Sequence, residues 1–157
     1  MPGTFNGTTL TISATPVDRA PIPDEGATNV AGIAIVGSDM YCVKTTGLKT
    51  TLLKTTDYTT AKATAVKKDL NWFALGLTKI GNYLYMLAED HKGYGGSTTI
   101  VKLDTKGNQL GTYNIKNICP NGALGITAAD GTNEKFIIMH YTGSNNAGTL
   151  TFSVVNW

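Results

Sequence analysis

Two histidines, His91 and His140, are the first candidates for chemistry. His91 directly follows Glu89-Asp90, and His140 directly precedes Tyr141; each sits at the end of an aromatic-led apolar run. An imidazole beside a carboxylate can move a proton, or ligate a metal if a third group joins it, and Glu89 or Asp90 would be that group. The same residues define a small-hydrolase reading through Glu89, Asp90, His91 and His140. The plainer reading makes both histidines loop residues at strand ends, with no metal and no cofactor. Glycoside hydrolysis needs two carboxyl groups facing each other across a cleft. Glu89 could be paired with Asp39 or Glu134, but no spacing selects either. There is no Gly-x-Ser-x-Gly elbow and no cysteine near a histidine in sequence, so covalent catalysis has no motif. The chain is read as more non-catalytic than enzymatic.

Ligand-contact candidates are better spread. Asn71-Trp72 offers an aromatic face beside an amide, and Tyr94 stands in the glycine-rich run Gly93–Ser97 next to Asp90 and His91. Asn145 lies in a second polar, glycine-rich run, 143–148. A stacked aromatic ring plus hydrogen-bonding side chains suits a sugar, whose ring has apolar C–H faces and polar edges. Trp72 could instead pack between sheets. Gly93–Ser97 is not a phosphate loop, because it lacks the Lys-Ser/Thr ending and no helix follows it. Met40, Met86 and Met139 fall within apolar runs and read as core fillers. Cys42 lies in an apolar run and Cys119 before a proline; two free thiols are preferred to a disulfide.

The elements that must carry these residues repeat. Ala31-Gly32-Ile33-Ala34, Ala74-Leu75-Gly76-Leu77-Thr78 and Ala123-Leu124-Gly125-Ile126-Thr127 echo one another, each ahead of a turn and an apolar run. Around the first, strands are expected at 30–36, 40–45 and 50–55, with 61–67 a weaker strand or a short helix. The second gives 74–80, 83–89, 98–104 and 109–115; Asp104–Asn108 between two alternating runs is a hairpin signal. The third gives 123–128, 135–141 and 149–156, one strand fewer. Ahead of them, Thr9–Thr15 alternates as a half-buried strand, and residues 16–29, with three prolines, read as a linker. The expected organisation is one all-β domain: an N-terminal strand and linker (1–29) and three units, 30–70, 71–118 and 119–157.

A unit of about 40 to 50 residues with four strands has the size of a propeller blade. The echoed small-residue strands and the aromatic second strands resemble β-propeller repeats across nearly the whole chain, with no motif of a specific family. Gly-His and Trp-Asp pairs are absent, as is Ser-x-Asp-x-Gly-x-x-Trp. The resemblance implies a ligand at the ring centre or on one face. Three blades make a half-ring, so a homodimer closing six blades is expected. Leu10 and Ile12 of an exchanged N-terminal strand would complete the neighbour's third blade, with Trp157 at the junction. A single β-sandwich is the alternative fold.

Composition narrows the partners. Net charge is +2 with 15% charged residues, and the basic groups are scattered, so no nucleic-acid face is expected. The 41% hydrophobic content fits a folded domain. No leader pattern opens the chain and no apolar run reaches membrane-spanning length, which reads as soluble with the compartment unassigned. The expected function is lectin-like binding of a glycan; a structural protein that self-assembles through its N-terminal strand is the alternative.

Overall fold

A computed structural model describes residues 3–5, 10–12, 29–56, 63–90, 97–143 and 148–157. Their regular elements are all strands. Sheet I runs β3 (Asn29–Val36), β4 (Asp39–Thr46), β5 (Lys49–Thr55), β6 (Thr64–Leu70). Sheet II runs β7 (Phe73–Ile80), β8 (Tyr83–Glu89), β9 (Thr98–Leu103), β10 (Gln109–Asn114). Sheet III has β11 (Ala123–Ala128), β12 (Lys135–Thr142) and β13 (Thr149–Asn156). All neighbours within these sheets are antiparallel and consecutive in sequence. No helix among the described residues is long and apolar enough to cross a membrane.

Two expectations shift. The weak element at 61–67 is a strand, displaced to 64–70, and its pairing with β5 slips twice. Lys67, Lys68 and Asp69 are exposed there, which suits a sheet edge that must not recruit another strand. Of the expected N-terminal strand, the described part is β2 (Leu10–Ile12), and it pairs with β1 (Gly3–Phe5) of its own chain, Leu10 opposite Phe5 and Ile12 opposite Gly3.

Sheet II lies between the other two. One face joins sheet I in a core that includes Tyr41, Val43, Leu52, Leu77, Leu84, Met86, Val101 and Leu103. The other joins sheet III through Tyr85, Leu87, Ile100, Phe136, Ile138 and Val155. This explains why β8 is buried from Leu84 to Ala88 without alternation, as a strand covered on both faces must be. β13 has one covered face: Val155 is buried there, while Leu150, Phe152 and Val154 on its other side are exposed. β10, at the outer edge, is largely exposed.

The first strands pack on one another, β7 between β3 and β11. Each carries a bulge near the echoed glycine, between Ala31 and Ile33, Ala74 and Gly76, and Ala123 and Gly125. The glycines mark the closest approach. A Cβ on Gly32 (φ +67°) would run into the Leu77 backbone nitrogen and lie 2.7 Å from its Cα. One on Gly76 would lie 3.2 Å from Ile126 Cγ2 and 3.5 Å from its nitrogen. Leu77 and Ile126 each directly follow the next glycine of the echo, so one contact is made twice with the same offset.

Candidate functional site

A cleft of about 340 Å³ lies at the outer part of sheet II. β10 supplies one wall, Leu110 to Tyr113; Tyr83 opens β8, Lys102 comes from β9, and Trp157 crosses from the end of sheet III. The pairing of β10 with β9 slips between Gln109 and Gly111. Gly111 makes room for the indole: a Cβ there would stand 3.0 Å from Trp157 Cζ2. The Trp157 amide donates to the Glu134 carbonyl at 2.8 Å, which fixes the backbone under the ring.

The aromatic groups form a connected set. Trp157 meets Tyr113 at 6.0 Å between centroids and the buried Tyr85 edge-on at 5.9 Å. Tyr85 in turn packs on Phe136 at 4.9 Å. Tyr83, Tyr113 and Trp157 are exposed, so their rings meet solvent while Tyr85 is the support behind them. The Lys102 ammonium sits 4.5 Å from the centre of the Tyr83 ring, close enough for a cation–π attraction.

A polar cluster adjoins these rings. Lys102 is ion-paired with Glu134, and the Tyr85 hydroxyl donates to the same Glu134 oxygen at 2.5 Å. The Lys102 bond, then the Tyr85 bond, hold the Glu134 carboxyl below its ordinary value. Burial, then that hydrogen bond, push the Tyr85 phenol up. At neutral pH Glu134 is therefore a carboxylate and Tyr85 a neutral phenol.

Of the residues singled out in the sequence, Trp72, Asp90 and His140 are held by separate partners. Trp72 is half-buried against the core between sheets I and II, its indole N–H donating to Gln109 at 3.1 Å, and Asn71 beside it is exposed. Asp90 accepts from the Ser97 amide at 3.0 Å. His140 is buried, with Nε2 2.8 Å from Ser153 Oγ. His91, Tyr94 and Asn145 lie outside the described residues. Among those described, no group of three potential metal ligands converges. Glu89 closes β8 four residues beyond Tyr85, whereas Glu134 is engaged by Tyr85 and Lys102. Cys42 and Cys119 are free and buried in different clusters.

Sequence reading missed Tyr83, Lys102 and Tyr113 as cleft residues, and it placed Trp157 at a subunit junction. One signal was present. Tyr85 lies opposite Lys102 on β8 and β9, as Tyr41 lies opposite Lys54 on β4 and β5. Lys54 turns to Asp39 of its own sheet at 3.1 Å, while Lys102 reaches Glu134 of the next sheet. No family model and no curated protein matches the chain, which leaves the cleft's own geometry as the guide to its role.

Proposed function

We propose that the protein is a non-catalytic, carbohydrate-binding module whose three sheets are successive propeller-like blades. The observation that carries the ligand reading is the cleft with three exposed aromatic residues and a charged pair beside them. Tyr and Trp rings present apolar faces that match the C–H faces of a pyranose, and they lose little entropy when a ligand seats on them. Lys102 and Thr112 supply donors for sugar hydroxyls at the rim. The one side-chain carboxylate tied to this cleft among the described residues is Glu134, already bonded to Lys102 and Tyr85. A single engaged carboxylate suits binding, whereas glycosidic cleavage uses two. The blade reading is supported by the sequential order within each sheet and by the repeated first-strand contact.

A glycan array followed by calorimetry tests the ligand reading. Wild type is expected to bind a defined subset of glycans. Trp157→Ala and Tyr113→Ala are each expected to weaken that binding at least tenfold, about 1.4 kcal/mol. Binding that survives both changes but is lost in Trp72→Ala would move the site to that residue. An array with no bound glycan would end the carbohydrate reading.

A further inference from the structure

Among the described residues two sheet faces stand uncovered, and they are the two halves of a contact the chain already makes twice. Sheet I meets sheet II with Gly32 against Leu77, and sheet II meets sheet III with Gly76 against Ile126. The third glycine has no such neighbour: a Cβ on Gly125 would touch only Met139 of its own sheet, at 3.7 Å. The matching residue, the one directly after the first glycine, is Ile33, and it is 64% exposed. Among the described residues, therefore, none comes in on Gly125, and Ile33 has no glycine to sit on.

The surrounding faces agree. On sheet III the core-facing side carries Phe136, Ile138 and Val155. Its opposite side carries Met139 opposite Phe152 and Ile137 opposite Val154. Phe152 is 63% and Val154 60% exposed. The pair Ile137–Val154 occupies the place that Tyr85–Lys102 holds in sheet II, counted from the strand pairing at each glycine. Where sheet II turns a tyrosine and a lysine towards its neighbour, sheet III turns two aliphatic residues. On sheet I, Ile35 is exposed alongside Ile33. A contiguous apolar sheet face of this kind marks an interaction surface.

We propose that the outward face of sheet III receives the β3 side of sheet I from a second copy of this chain, with Ile33 of each copy seated on Gly125 of the other. The contact is head-to-tail, and two copies close it reciprocally about a two-fold axis, leaving neither face bare. It stands on the two internal contacts and does not depend on the ligand of the cleft.

Solution mass by light scattering, on the full chain, tests this. Wild type is expected at twice the 16.6 kDa chain mass. Ile33→Asp and Phe152→Asp are each expected to halve it with an unchanged circular dichroism spectrum. Val154→Asp serves as a second sheet III variant should Phe152→Asp fail to fold. Leu48→Asp, an exposed apolar position in the β4–β5 turn, is expected to leave the dimer intact. Mixing Ile33→Asp with Phe152→Asp pairs one unaltered sheet III with one unaltered sheet I, and is expected to restore dimers that neither forms alone. A monomeric wild type would overturn the proposal. So would a dimer broken by Phe152→Asp but untouched by Ile33→Asp, which would show sheet III packing on itself. A ladder of larger species would overturn closure by two copies.

Discussion

Replacing Gly32 by alanine tests whether the echoed glycine is an interlock between sheets. The backbone there has φ +67°, and the added Cβ would strike the Leu77 main chain, not a flexible side-chain end. The left-handed conformation costs an L-residue roughly 1–2 kcal/mol, and forcing a methyl into a filled contact costs about 1–3 kcal/mol more. The sum, ~2–5 kcal/mol, is a large part of the 5–15 kcal/mol that typically holds a domain together. For a chain of this size it corresponds to a fall in Tm on the order of 10 °C. Gly37→Ala is the matched control: φ is +62°, but nothing lies within 4 Å of its Cβ. It carries the conformational cost alone, ~1–2 kcal/mol. Thermal and urea unfolding followed by circular dichroism read both. Equal losses for the two variants would refute the interlock and reduce Gly32 to a residue that only answers the positive φ of its bulge.

Acid should weaken the fold through Glu134 and Asp130. Asp130 accepts from the backbone amides of Asn133 at 2.7 Å and Thr132 at 2.9 Å, which holds its carboxyl down to about 2; Glu134 is held low by Lys102. Both folded values are depressed, so their contribution is complete above the ordinary carboxylate range, near 4, and is lost as pH falls through the folded values. Tm is expected to drop between about pH 4 and about pH 2, with a shallower drop in Asp130→Asn; an unchanged profile in that variant would remove Asp130 from the effect. The thiols should be silent in the native state, since burial raises Cys42 and pushes Cys119 up to about 11. A thiol reagent at pH 8 is expected to label neither until denaturant is added, and prompt labelling of Cys119 would contradict its burial.

The strands were legible in the sequence wherever alternation or a turn pattern acts locally. Val30–Val36, Tyr83–Glu89 and Thr149–Asn156 were read within a residue of their observed ends, because side-chain period and hairpin turns are short-range properties. The echo at Gly32, Gly76 and Gly125 was visible too, but not its cause, since nothing local shows that Leu77 and Ile126 press on Gly32 and Gly76. β6 was misplaced because its edge position tolerates the polar residues that blur the alternation. The histidines drew attention by type alone, and His140 proved to be a buried partner of Ser153.

What the sequence determined by itself was an all-β chain of repeated antiparallel units, the third with three strands. The tertiary structure decided which faces are covered and where the aromatic groups meet. Tyr83, Lys102, Tyr113 and Trp157 belong to four different strands or their ends, and only the stacking of sheet III on sheet II brings Trp157 over Gly111 and Glu134 beneath Lys102. Such proximity follows from packing between sheets, a relation that residue order along one strand does not encode.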